Sequence, residues 1–283
     1  MNHKRILKIR IPRAKYALVN GDNKKVTIDT FCYKVQFSEI YFNCEMYASV
    51  ELKAYAMNYF KIIPHSDSHS HKSVLLGKNN LTSNEFYEIN SRSSIRITSQ
   101  FKNFEYKTCE SEGKNCRKNN FRLDLREYKG SVGYPNSGAY IFYPSTPMKY
   151  EYLDPLGAEV IKGNQVTQVR IYSNTALMIM RFYERGKHFT QDSIEIETFV
   201  RSIDHSFTPS EITLVARDFH LDNDKTFYTD SNGIEVEKRV FKRGKNGDDN
   251  EDVTANYYPV NSFIYIEDVK NKHRMMYLLL NLI

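Results

Sequence analysis

The sequence predicts an all-β protein, and three observations carry that prediction. Hydrophobic residues alternate with period two in segment after segment, which is the mark of half-buried strands. Clusters of Asn, Asp, Gly, Ser and Pro punctuate those segments at short intervals. The 283 residues include 21 Tyr and 17 Phe but only 12 Gly and 8 Pro, a composition suited to pleated sheet and not to disorder. No segment keeps an apolar 3.6-residue period with caps over a dozen residues. Numerous, uneven and often long strands favour a sandwich over a barrel.

In chain order, ILKIRI (Ile6–Ile11) alternates cleanly and meets a turn at NGDNKK (Asn20–Lys25). YKVQF (Tyr33–Phe37) and EIYFNCEMYASVEL (Glu39–Leu52) follow, and ELKAYAMNYFKII (Glu51–Ile63) reads as strand after strand. The polar run HSDSHSHKS (His65–Ser73) separates two β-rich regions. We therefore expect a small β-domain over residues 1–64, a polar linker over 65–80 and a larger β-region over 81–283. Within the last, SIRITSQF and IEIETFV (Ile194–Val200) are strands, and GKNN, YPNSG, TDSNG and KNGDDN are turns. The apolar end MMYLLLNLI (Met275–Ile283) is expected to be a buried strand and is too short to span a membrane. There is no internal repeat.

The formal net charge of +6 is mild. Its richest cluster, KRVFKRGK (Lys238–Lys245), runs straight into the acidic DDNED (Asp248–Asp252). That mixed sign suits a solvated loop, not a phosphate-binding surface. Neither a nucleic acid nor a membrane is an expected partner. The basic start MNHKRILKIRIPRAKY lacks the apolar core of a secretory signal. Four cysteines contain no CxxC pair. In an oxidising compartment Cys32 and Cys44 would pair across neighbouring strands, and Cys109 and Cys116 would close the loop between them; four reduced thiols are the alternative. The sequon Asn80-Leu81-Thr82 lies in a polar stretch.

Candidate chemistry is sparse. His65, Asp67, His69 and His71 have the side chains of a zinc site, but their linker composition supplies no rigid element to hold them. No metal ligand is therefore assigned. Glu195 and Glu197 alternate with Ile194 and Ile196 and are expected to face water, while Asp218, Asp222 and Asp224 form no isolated acid–base pair. GxSxG, GxGxxG, P-loop and HExxH motifs are absent, and no catalytic residue is assigned. Tyr140, Tyr143, Asp230, Asn232, Asn256 and Tyr257 are of the types that build a carbohydrate surface, with sandwich packing the alternative for each tyrosine.

Three motifs go further. SGAYIFYP (Ser137–Pro144), FYTDSNG (Phe227–Gly233) and NYYPVNSFIYI (Asn256–Ile266) resemble, in order and spacing, segments of the glycoside hydrolase family 38 α-mannosidases, the lysosomal type above all. Flanking segments are similar too: RILKIRIPRAKYALVNGDNKKV, LTSNEFYEI, EVIKGNQVTQVRIYS (Glu159–Ser173) and LVARDFHLD (Leu214–Asp222). Tyr143 departs from the family, which has Arg before that proline. The resemblance covers nearly the whole chain and implies a small β-domain followed by part of a large, galactose-mutarotase-like β-sandwich.

The resemblance also implies retaining hydrolysis of α-linked mannose from glycans, with zinc and a carboxylate nucleophile supplied by a catalytic barrel that this chain lacks. The chain alone is then expected to be inactive and to hold no cofactor. Its expected partners are mannose-containing glycans, the barrel and the rest of the sandwich, in the same or a separate chain. HRMMYLLLNLI diverges from the family, so the sandwich is expected to be truncated at that side. Tyr140 is the candidate substrate-binding residue, with an orienting role, because a tyrosine near pKa ~10 is a poor base at lysosomal pH. FYTDSNG and NYYPVN are expected to be structural turns, with Gly233 at positive φ. A lysosomal or other lumenal location is implied. A non-catalytic carbohydrate-binding or structural sandwich module is the competing reading.

Overall fold

A computed structural model describes residues 3–12, 15–33, 44–52, 54, 57–66, 73–77, 87–90, 93–98, 103–108, 121–133, 141–144, 150–152, 156–173, 176–183, 194–200, 210–218, 221–222, 224–230, 234–241, 258, 260–270 and 273–278. Among these, every regular element is a β-strand. In chain order they are β1 (His3–Ile11), β2 (Tyr16–Asn20), β3 (Lys25–Val26), β4 (Ile28–Cys32), β5 (Cys44–Leu52), β6 (Phe60–Pro64), β7 (Ser73–Gly77), β8 (Tyr87–Asn90), β9 (Ser93–Thr98), β10 (Asn103–Thr108) and β11 (Phe121–Gly133). They continue with β12 (Ile141–Pro144), β13 (Tyr150–Tyr152), β14 (Gly157–Lys162), β15 (Val166–Tyr172), β16 (Ala176–Tyr183), β17 (Ile194–Val200), β18 (Ser210–Asp218), β19 (Thr226–Thr229), β20 (Glu237–Val240), β21 (Phe263–Asp268) and β22 (His273–Leu278). The expected all-β class is what the chain adopts, and the alternating segments around residues 6–11, 44–52, 94–98 and 194–200 are strands.

The chain divides into two compact units, one of residues 1–118 with 152–206 and one of 119–151 with 207–283. In the first, three sheets lie in layers, β3-β2-β6, then β1-β5-β4, then β17-β16-β15-β14-β7, and the paired strands β10-β9-β8 also belong to this unit. β7, at Ser73–Gly77, pairs with β14 from Gly157 to Ile161. Period two decides how the middle layer is used. Leu7, Ile9 and Ile11 of β1, Ile28 and Cys32 of β4, and Cys44, Met46, Ala48 and Val50 of β5 face Leu18, Val26 and Phe60 of the outer sheet. Residues of the opposite parity, among them Ile6, Phe31 and Tyr47, pack on Ile161, Val166 and Tyr183 of the five-stranded sheet. A sheet covered on both sides explains why Met46, Tyr47 and Ala48 are successive and all fully buried.

Turn chemistry follows the sequence closely in this unit. Asn20 Oδ1 accepts the backbone N–H groups of Asp22 (3.1 Å) and Lys24 (2.9 Å), closing the predicted turn. Asn23 takes φ 58°, a left-handed conformation that asparagine tolerates. Cys32 and Cys44 face each other in the β4–β5 register and form a disulfide. Their separation of 12 residues means that a double serine substitution should cost about 2–3 kcal/mol of unfolding free energy, from the greater freedom of the unfolded chain. Urea unfolding of the oxidised protein against the Cys32→Ser/Cys44→Ser variant measures it. Cys109 and Cys116 lie outside the described residues.

In the second unit, β11 pairs with β18 over its full described register from Phe121–Asp218 to Lys129–Ser210. β12 and β13 also pair with β11. A separate four-stranded sheet runs β20-β19-β21-β22. The expectation of a buried strand near the end of the chain is half right. β22 forms, but Met276 and Leu278 are 46% and 62% exposed. β22 is the outer strand of this sheet, and one of its faces meets solvent.

Candidate functional site

Among the described residues, a dense polar cluster lies between the β1-β5-β4 sheet and the β14–β17 face that covers it. β5 buries the carboxylate of Glu45 between Cys44 and Met46. β16 likewise buries Arg181, which has no solvent exposure, in the apolar run ALMIMRF. Arg181 donates from Nε (3.0 Å) and Nη2 (2.7 Å) to the two Glu45 oxygens, a forked ion pair. The Glu45 Oε2 atom also accepts from the Tyr47 hydroxyl (2.6 Å) and Gln168 Nε2 (3.1 Å). Lys8 of β1 stands 3.5 Å from Oε1.

Arg181 is itself shared. Its Nη2 reaches Glu197 (2.6 Å) and the Tyr33 hydroxyl (3.1 Å), and its Nη1 reaches Glu195 (3.3 Å). Lys8 donates to Glu195 and Arg10 to Glu197 (2.8 Å). This corrects the expectation that Glu195 and Glu197 point to water. The register pairs Arg181 with Glu195 and Ile179 with Glu197, so both carboxylates share a sheet face with a buried guanidinium that must be neutralised. Beside them Arg170 lies over the Tyr33 ring at 4.7 Å and donates to the Cys32 carbonyl oxygen (2.9 Å) and to Gln168 Oε1 (3.0 Å).

Protonation follows from this packing. Desolvation pushes the Glu45 carboxyl up, but Arg181 and Lys8, with the Tyr33 and Tyr47 hydroxyls, hold it below the usual carboxylate value. Glu195 behaves alike: burial opposes its charge, and Arg181, Lys8 and Tyr183 win. Burial, chiefly, drives the Tyr33, Tyr47 and Tyr183 hydroxyls up and keeps them protonated donors. Glu45, Glu195 and Glu197 each meet a fixed cation, and the arrangement ties β1, β5, β16 and β17 together. Among the described residues no group of three or more His, Cys, Asp or Glu side chains is placed to hold a metal ion.

Two more carboxylates act as backbone clasps. Asp29 of β4, fully buried, accepts the N–H groups of Asn164 (2.9 Å), Gln165 (2.5 Å) and Val166 (3.3 Å) in the β14–β15 turn. In the second unit, Asp230 of FYTDSNG accepts the N–H groups of Asn261 (3.2 Å), Ser262 (2.9 Å) and Phe263 (3.0 Å) in NYYPVNSFIYI. Two of the three motifs are thus one structural feature. Burial opposes the Asp230 charge, but the three donors hold its carboxyl below the usual value. Tyr228 and Tyr265 stack on the adjoining strands, centroids 4.6 Å apart. Asp230→Ala should lower the thermal midpoint and strip hydrogen-exchange protection from residues 261–263, whereas Asp230→Asn should keep part of it.

Tyr140, Asn232, Gly233, Asn256 and Tyr257 lie outside the described residues, as do Asp67, His69 and His71. Tyr143 sits in β12 opposite Ser131, and Asp218 ends β18. Asp222 is exposed and donates its N–H to the buried Asp268 (3.1 Å), while Asp224 occupies a turn at φ 46°. His65 ties its N–H to the Lys15 carbonyl oxygen (3.0 Å). Sequence reasoning missed Glu45, Arg170, Arg181 and Asp29. Their signal was present: Asp29, Arg170 and Arg181 are each the one charge in their strand, and Glu45 sits in the buried stretch CEMYA.

Comparison with known proteins agrees with the motifs. Residues 90–277 match the glycosyl hydrolases family 38 C-terminal domain. A probable alpha-mannosidase of Arabidopsis thaliana is 34% identical over 148 residues, half of this chain and 14% of that protein. The lysosomal alpha-mannosidases of Dictyostelium discoideum and Homo sapiens are each 30% identical, again over half of this chain and 14% of their own length. The chain therefore matches only about a seventh of each of these relatives. With the family match running over most of its length, the protein belongs to the glycosyl hydrolases family 38 C-terminal domain family.

Proposed function

We propose that this chain is the C-terminal β-region of a retaining α-mannosidase, supporting and partly lining the sugar site of a catalytic barrel. The family match over residues 90–277 is the observation that carries the reading. Relatives named alpha-mannosidase support it. In this reading the zinc ion and the nucleophilic carboxylate belong to the barrel, and the substrate is terminal α-linked mannose on glycans. Tyr140, within SGAYIF, orients the sugar through its hydroxyl and transfers no proton. The work of this region is positional, because a reacting sugar misplaced by an ångström reacts far more slowly. A lumenal, lysosome-like location accords with the relatives named lysosomal and with a disulfide between Cys32 and Cys44.

The test is reconstitution. The chain is expressed alone and together with the catalytic part of an α-mannosidase from the same source, and hydrolysis of an aryl α-mannoside is followed. No turnover alone and turnover together support the proposal. In the active assembly, Tyr140→Phe should lower kcat/KM by up to roughly tenfold, the loss of one hydrogen bond, without moving the pH profile. Turnover by the isolated chain, or an assembly indifferent to this region, overturns it.

A further inference from the structure

We propose that the charged layer beneath β1-β5-β4 is an acid-tolerant latch, holding the N-terminal sheets on β14–β17 by one unchanged set of ionic contacts from neutral pH to the acidity of a lysosome-like lumen. Four cations, Lys8, Arg10, Arg170 and Arg181, meet four carboxylates, Glu45, Glu159, Glu195 and Glu197, all within ion-pair distance. These eight ion-paired groups balance one another in charge, and Asp29 in the same interface is met by backbone N–H groups instead. Lys and Arg stay charged through this range, and carboxylates lose charge only near pH ~4, whereas an imidazole would switch near pH ~6.5. No histidine stands among the described members of the layer.

The groups that face Glu45 come from every neighbouring strand. They are Lys8 from β1, Tyr33 just after β4, Tyr47 from its own strand, Gln168 from β15 and Arg181 from β16. Glu195 and Glu197 of β17 lie beyond Arg181. Asp29 lies in the same interface, on the backbone N–H groups of the β14–β15 turn. The direction of pH dependence follows. Glu45 and Glu195 have folded values below the ordinary 4.5. Their contribution to stability is complete above that ordinary value and is lost only as pH falls through the lower folded values. The window of loss therefore lies below about pH 4.5.

The pH range invoked rests on the lumenal location proposed above, while the layer's own response to pH is read without any activity and so can fail separately. Its test is hydrogen exchange of the full chain, read by mass spectrometry in peptides spanning β5 and β16 and corrected for intrinsic rates, together with thermal unfolding from pH 7.5 to 3.5. Protection of both strands should be unchanged down to pH 5 and fall below pH 4. The Lys8→His variant, at a partly exposed position, should be less protected at pH 7.5 and regain protection by pH 5.5 as the imidazole charges. Unfolding of the second unit alone leaves these peptides unmoved. Loss of β5 and β16 protection between pH 7.5 and 5 in the unaltered chain overturns the proposal, as does a Lys8→His profile as flat as the parent's.

Discussion

Arg181→Met is expected to destabilise the first unit by about 3–5 kcal/mol, the usual cost of leaving a buried carboxylate without its partner. Glu45 is 2% exposed and its forked pair with Arg181 supplies two of its hydrogen bonds. Lys8 at 3.5 Å cannot replace a bidentate guanidinium. Glu195 and Glu197 would lose the same cation and repel each other across one face. The variant should also be acid-shifted in the opposite sense to the parent. With its cation gone, Glu45 takes up a proton at a higher pH, so stability should recover on mild acidification. The double variant Arg181→Met/Glu45→Leu should regain part of the loss, because it removes the orphaned Glu45 charge but still leaves Glu195 and Glu197 without Arg181 and the Tyr47 and Gln168 donors without their acceptor. Urea unfolding of the parent, the single and the double variant decides it. A single variant within 1 kcal/mol of the parent would show that the layer is wet and the pair weak.

Asp29→Ala is expected to cost about 3 kcal/mol, since three buried backbone donors lose a charged acceptor at once. The effect is not a cavity effect. Asp29→Asn keeps the volume, yet its amide presents N–H to N–H on one side and should recover only part of the loss. Gly163 belongs to the same clasp. A Cβ there would stand 2.6 Å from Asp29 Oδ2 and 2.7 Å from the Val166 carbonyl oxygen. Gly163→Ala should therefore damage the turn from the other side, and its cost should not add to that of Asp29→Ala in the double variant. Thermal midpoints of the three variants and the pair measure this.

The strands were legible because period two leaves the same trace whatever a strand packs against. Ile6–Ile11 and Ile194–Val200 announced themselves by alternation alone, and Asn20–Lys25 by its turn residues. What alternation does not reveal is what lies beyond the polar face. Glu195 and Glu197 looked solvated because polar residues on a strand normally are; only a second sheet carrying Arg10 and Lys8, far away in sequence, makes them internal. The clue lay in the partners: an arginine inside ALMIMRF has no reason to be there unless a carboxylate awaits it. Asp230 was read as a local turn residue because aspartate serves that role often. Its donors are 31 to 33 residues away, a distance no local pattern encodes.

The middle sheet also sets a timetable. Glu45 and Arg181 are 136 residues apart, and Lys8 and Glu195 are 187 apart. At ribosomal speeds of roughly 5–20 residues per second, the first strands wait on the order of ten seconds for the surface that neutralises them. During that interval β1-β5-β4 has one apolar side it can already cover with β2 and β6, and one mixed side on which Lys8, Arg10 and Glu45 stand beside Ile6, Phe31 and Tyr47. A nascent segment whose unfinished face is charged does not stick to its neighbours on the polysome. Lys8, Arg10 and Glu45 should thus make the early product less adhesive than an all-apolar face would be, until the later strands arrive.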